Sequence, residues 1–163
     1  MNEEYNEIFS SFSSHEEKTN VTMFFVVLIF YVDCLIFIKL RSGAGDWTSY
    51  HSVLGAEKFM RLNDTNAVGD QATYFQDTAP TSTVFSVGNA GDVNTSSGTH
   101  VAYCFKSIKG YSKFGSYLGN QENNGTFVYT GFSPAWIMIK RTSGTQNWNI
   151  HDCSYCISVI ILS

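Results

Sequence analysis

The chain has 163 residues, of which 44% are apolar and 15% aromatic, so it is long enough for one ordinary domain with a hydrophobic core. Its formal net charge of −4, with only ten lysines and arginines, argues against a protein that coats nucleic acid, because phosphate neutralisation needs clustered positive charge. Two prolines against 13 glycines make a turn-rich composition that is neither collagenous nor a proline-rich linker, and it favours β structure.

Residues 1–34 comprise a polar, acidic start and the beginning of an apolar run that continues to residue 40. On length alone, residues 21–40 would suffice for a membrane-spanning helix. However, Asp33 would cost about 3 kcal/mol near the bilayer interior, and the basic residues Lys39 and Arg41 follow the run instead of preceding it. We therefore treat residues 1–34 as a segment that could be helical, and we disfavour a membrane anchor.

Short β-branched and aromatic runs recur along the rest of the chain, each bounded by Gly, Asn, Asp or Ser, and this spacing is typical of a sandwich or barrel. In chain order, the runs that predict strands are 35–40, 47–51, 58–62, 73–75, 83–87, 101–108, 114–118, 127–130, 136–140 and 148–151. In the clearest run, Val101, Tyr103 and Phe105 share one face. The small and apolar residues of the other face predict that it is at least half covered.

One segment of the sequence repeats. Residues 39–47 align without a gap on residues 140–148, at an offset of 101 positions, and the Lys, Ser, Gly and Trp of the two copies coincide. This repeat predicts a β module over 35–110, the start of a second, incomplete copy over 111–152, and an apolar tail at 153–163 outside the repeat. Because the match stops abruptly on both sides, we expect a truncated or frame-shifted piece of a longer chain. The alternative is that both ends are genuine and have diverged.

Several blocks of the chain, in order, resemble a module of uncharacterised function that is common in tail and other structural proteins of marine phages. The blocks are 47–50, 55–63, 79–88, 93–94, 110–120, 127–134, 139–141 and Gly98-Thr99-His100-Val101-Ala102-Tyr103-Cys104-Phe105. The resemblance covers about residues 36–152. It implies an all-β antiparallel sandwich, jelly-roll or concanavalin-like and similar to laminin-G domains, in a virion. It defines no catalytic residues.

The residue patterns of common enzymes are missing from residues 39–152. The only glutamates there are Glu57 and Glu122, each alone, whereas glycosidases on sandwich folds need two carboxylates close together. No Gly-x-Ser-x-Gly elbow of a serine hydrolase occurs. We therefore predict a protein that is not an enzyme and that needs no cofactor.

Metal-binding patterns are equally weak. The loop that begins at Asp64 lacks the ligands of an EF-hand, because Val68 and Phe75 stand at ligand positions. A looser calcium site would have to draw on Asp64, Asp70 or Asp77, for which ordinary turns are the simpler explanation. Cys153 and Cys156 form a lone pair without the four ligands of structural zinc. We predict no metal site.

The candidate ligand-binding residues are Trp47 and Trp148, with Asp46 and Asn147 beside them in the repeated turns. Two equivalent indoles could stack on sugar rings, although a repeated Trp is more often part of a core. The main functional hypothesis is a structural module of a phage tail or fibre, whose partners are other virion subunits or copies of itself. The alternative is a lectin-like domain that binds host surface glycans on its loops. A membrane-anchored surface protein is the weakest alternative.

Overall fold

In the computed structural model the chain divides into two compact units, Met1–Tyr31 and Val32–Ser163. The structure describes residues 33–152 and the backbone of residues 159–162, all within the second unit. The expectations for residues 1–32 and for most of the tail lie outside this part. The apolar run does, however, end within it, and residues 34–40 form a strand.

The described residues form nine strands and two single-turn helices. In chain order they are β1 (Cys34–Leu40), β2 (Trp47–His51), β3 (Lys58–Arg61), β4 (Gly69–Asp70), α1 (Ala72–Phe75), α2 (Gly91–Asn94), β5 (His100–Lys106), β6 (Ser112–Gly115), β7 (Trp136–Ile139), β8 (Asn149–Asp152) and β9 (Val159–Leu162). No helix in this part is long and apolar enough to cross a membrane.

The strands make two sheets. The first has the order β4-β3-β2-β1-β5 and is antiparallel throughout. The second has the order β6-β9-β7-β8, in which β9 runs parallel to both of its neighbours. The prediction of an all-β antiparallel sandwich is confirmed, except that the parallel pairs of β9 were not predicted.

Strand β1 occupies the centre of the core because both of its faces are covered. Leu35 and Phe37, on one face, pack with Phe114 of β6 and Met138 of β7, and this contact joins the two sheets. The other face of β1 packs under the two helices and the loop before α2 in a second apolar cluster. That cluster contains Ile36, Ile38, Tyr50, Ala56, Phe59, Tyr74, Phe75 and Val93.

Three predicted strands are absent. Residues 73–75 lie in α1, and residues 83–87 and 127–130 form no strand. The reason is clearest in α1, where the consecutive residues Tyr74 and Phe75 are both buried. A strand would point them to opposite faces, whereas a helical turn ended by Gln76 in the left-handed region (φ 55°) turns both onto the sheet.

Strand β5 is an edge strand, bonded on one side to β1. Val101, Tyr103 and Phe105 share a face as predicted, because they are alternate residues of one continuous strand. The opposite face of β5 is not covered as expected: Ala102, Cys104 and Lys106 are all exposed.

Candidate functional site

The two repeated turns occupy equivalent places in two hairpins of the same register. Lys39 pairs with Trp47 and Ile38 with Thr48 in the first hairpin, and Ile139 pairs with Asn149 at the equivalent place in the second. In each hairpin a lysine beside the end of the first strand donates a hydrogen bond across the turn to a carbonyl six residues on. Lys39 bonds Gly45 O, and Lys140 bonds Gln146 O. The aligned residues therefore have the same structural task.

Both turns converge on the segment that follows β3. In the first turn, the Leu62 amide donates to Trp47 O at 3.0 Å. In the second, the amide of Gln146 donates to Thr65 O at 2.8 Å and the amide of Val68 donates to Thr142 O at 3.2 Å. Residues 61–68 are thus held between the two hairpins.

Arg61, at the end of β3, is the centre of a charged group that we call the Arg61 cluster: Arg61, Asp46, Asp64, Tyr74 and Asp92. Its guanidinium lies 2.8 Å from the Asp46 carboxylate and 3.7 Å from each of the other two carboxylates. It also donates to the Tyr74 hydroxyl at 2.8 Å. Three carboxylates therefore share one cation. Asp46 and Asp92 thereby attach the first turn and α2 to the end of β3.

Aromatic rings pack against the Arg61 guanidinium. The guanidinium lies 5.2 Å from the centre of the Phe59 ring, which itself stacks on Tyr74 with centroids 3.7 Å apart. Burial raises the pKa of the Tyr74 hydroxyl, so this group stays protonated. It donates a hydrogen bond to the Asp92 carboxylate at 3.4 Å. The cluster is therefore a connected internal network.

The predicted binding residues are mostly used within the protein. Asp46 pairs with Arg61, and its other carboxylate oxygen accepts a hydrogen bond from the Asn63 amide at 2.8 Å. Trp47 is half-buried, stacks on Tyr103 with centroids 6.1 Å apart, and donates its backbone N–H to the side chain of Asn63. These contacts tie both residues to neighbouring parts of the domain.

Trp148 is also half-buried, and its indole N–H donates to Arg61 O at 2.9 Å. Its ring packs against the cluster between the sheets, and the buried ammonium of Lys140 lies 6.0 Å from the ring centre. Asn147 is exposed. Asp46 therefore contacts the side chain of Arg61 and Trp148 contacts its carbonyl, whereas Asn147 contacts neither.

The three aspartates considered for calcium are not brought together. Asp64 lies beside Arg61, and Asp70 pairs with Lys58 on a different edge of the first sheet. Within the described residues, no group of three or more His, Cys, Asp or Glu side chains could hold a metal ion.

Two open cavities lie away from the turns. One, of about 660 Å³, is formed by β1, β5, the start of β6 and the loop at 80–85, and Cys34 and Cys104 lie on its wall. The other, of about 570 Å³, is lined largely by residues 117–130 and includes Tyr117, Asn120 and Glu122. The sequence predicted neither cavity, and the residues of the first come together only through the pairing of distant strands.

A family model described as a domain of unknown function (DUF7483) matches residues 31–158. The chain belongs to this family. The matched range includes both hairpins, the Arg61 cluster and both cavities. No curated protein matches the chain, and no solved structure matches it.

Proposed function

We propose that this DUF7483 chain is a non-catalytic structural module of a phage tail or fibre-like virion protein, which associates with copies of itself or with other virion subunits. The observation that carries the proposal is a stretch of exposed apolar side chains at 117–129. Leu118 is 88% exposed, Phe127 87% and Tyr129 72%. Several large apolar residues exposed close together in the sequence are typical of a surface that another protein covers.

The turn residues support the same proposal. Asp46, Trp47 and Trp148 contact other parts of the domain, so their repetition is explained by a repeated hairpin without any ligand. Within the described residues the first sheet also has an unpaired edge, since β5 is hydrogen-bonded to β1 only. An open edge with apolar side chains favours addition of another strand or subunit.

The test is the association state of the full chain. Sedimentation velocity over a range of concentrations should show self-association, and the double variant Leu118→Ser/Phe127→Ser should shift it toward monomer. Val53→Ser is the matched control, because Val53 is an exposed apolar residue of the β2–β3 loop. A parent chain that stays monomeric at every concentration, and that captures no virion subunit after cross-linking, would contradict the proposal.

A lectin-like role is the second candidate, and the cavity beside residues 117–130 favours it. Tyr117, Asn120, Gln121, Glu122 and Thr126 line this cavity and offer a ring, amides, a carboxylate and a hydroxyl to a sugar. The test measures retention of the chain on immobilised host glycans. Retention that is abolished by Asn120→Ala and preserved by Trp47→Phe would establish this role. Absence of retention by the parent chain would exclude it for the glycans used.

A further inference from the structure

Two cysteines lie on the same face of the first sheet, on the neighbouring strands β1 and β5. Cys34 stands opposite Lys106 and Ile36 opposite Cys104, so the two cysteines are diagonal neighbours, two positions apart in register. Side chains two positions apart on a strand point to the same face. Both residues are free thiols, and both line the cavity of about 660 Å³.

We propose that Cys34 and Cys104 form a cross-strand disulfide by thiol exchange with a low-molecular-weight disulfide such as oxidised glutathione. The bond would join the central strand of the sheet to its edge strand.

The geometry permits this bond after a small movement. Diagonal Cα atoms in an antiparallel pair lie about 7–8 Å apart, with the Cβ atoms somewhat closer. Disulfides usually join Cα atoms about 4.4–6.8 Å apart, so the two strands must shift by roughly 1 Å along their axes where Cys34 and Cys104 lie. The shift can stay local because Cys34 is the first residue of β1, and within the described residues β5 is hydrogen-bonded on one side only.

The two thiols are close enough to influence each other. The pKa of Cys34 is raised mainly by burial, and the neighbouring Asp33 and Cys104 raise it further. Cys104 is exposed whereas Cys34 is half-buried, so a dissolved disulfide reaches Cys104 first. The difference in solvent exposure therefore decides which of the two thiols reacts first.

The exchange has two steps. The Cys104 thiolate attacks one sulfur of oxidised glutathione, which forms a mixed disulfide and releases one molecule of reduced glutathione. The Cys34 thiolate then attacks the Cys104 sulfur of that mixed disulfide and releases the second glutathione as a thiolate. The two protein thiols lose two protons and two electrons, and the glutathione disulfide takes up both electrons.

Closure has a structural consequence. The ring closed by the bond contains the hairpin, both helices and the loop that walls the cavity, because these elements lie between residues 34 and 104 in sequence. A cross-link around so long a loop restricts the unfolded chain. Oxidation should therefore raise the thermal midpoint of unfolding and hold β5 against detachment.

The test uses the full chain with Cys153→Ser and Cys156→Ser as the parent, so that no other thiol competes. The folded parent is incubated with reduced and oxidised glutathione, quenched with acid, and examined by intact mass and peptide mapping. The expected product is a monomer that has lost two hydrogens and contains a peptide pair joined through Cys34 and Cys104. In guanidinium, the ratio of closed product to mixed disulfide should fall by at least about tenfold, because the unfolded chain no longer holds the thiols together.

Single variants separate the two steps. Cys34→Ser should accumulate a stable glutathione adduct on Cys104, whereas Cys104→Ser should remain almost unmodified. Cys34→Ala replaces the serine variant if circular dichroism shows that the latter is misfolded. The proposal is overturned if the parent keeps a stable adduct on Cys104, stays unmodified, or forms cross-links between chains only.

Discussion

Trp148 and Arg61 are joined by a hydrogen bond between an indole and a main-chain carbonyl, across 87 positions of sequence, with a donor–acceptor distance of 2.9 Å. Arg61 uses its side chain to hold the first hairpin through Asp46, and it uses its carbonyl to hold the second hairpin through Trp148. The two hairpins are therefore linked through a single residue, and this link can be tested by removing the indole donor.

Trp148→Phe deletes the indole donor and keeps an aromatic ring in the cluster between the sheets. We expect a loss of about 1–2 kcal/mol in the free energy of unfolding, from the lost hydrogen bond and the smaller ring. Denaturant titration measures this change. The control is Trp47→Phe, which retains a ring beside Tyr103 and should cost less. Equal losses in the two variants would argue against a special role for the bond to Arg61.

Trp47→Ala should destabilise the domain by about 2 kcal/mol, which is below the range for a fully buried aromatic residue because Trp47 is only half-buried. The lost contact is the stacking on Tyr103. Thermal unfolding of the variant provides the measurement. An unchanged midpoint combined with lost adhesion to host cells would instead favour an exposed binding platform.

Gly88→Ala tests a close backbone approach beside α1. A Cβ at position 88 would lie 2.0 Å from Thr73 O, and the Gly88 amide already donates to Tyr74 O at 2.8 Å. The loop must therefore move away from the helix, at a cost of about 2–3 kcal/mol in unfolding free energy. Gly119→Ala is the control, because no atom lies within 4 Å of its added Cβ. If the two substitutions lower the unfolding free energy by the same small amount, the contact between Gly88 and α1 is not tightly packed.

Much of the sandwich could be predicted from local sequence. The strand at 47–51 was placed correctly at both ends, and those at 35–40 and 136–140 to within one residue at each end. These strands combine apolar residues with clear turn residues. The repeated Lys and Trp also indicated two similar segments, because the residues that fix the register of a hairpin lie within the hairpin itself.

The rest depended on contacts between distant segments. Nothing near Arg61 in the sequence shows that Asp46 and Asp92 approach it, since that follows only from the order of strands in the first sheet. The helix at 72–75 was mistaken for a strand because its aromatic residues favour strands locally, whereas burial of two consecutive side chains decided the conformation. The open face of β5 likewise reflects its position at the sheet edge and not its composition.

Cys34 should make the stability of the domain fall between pH 9 and 11. Its pKa is raised from 9.0 to about 11, first by burial and then by the charges of Asp33 and Cys104, while Lys106 stands opposite it on β5. Below pH 9 the thiol is protonated in both the folded and the unfolded chain, so it contributes no pH dependence. Between pH 9 and 11 the unfolded chain releases this proton and the folded chain keeps it, which favours unfolding as the pH rises.

Because Cys34 is only half-buried, we expect the loss of unfolding free energy between pH 9 and 11 to reach about 1 kcal/mol after solvent screening. The measurement compares unfolding free energies of reduced parent and Cys34→Ser chains at intervals across this range, so that the other lysines and tyrosines cancel in the difference. A parent whose stability parallels that of the variant at every pH would show that the folded thiol titrates normally. The same raised pKa predicts slow alkylation of Cys34 at neutral pH relative to the exposed Cys104, because the thiolate is the reactive form.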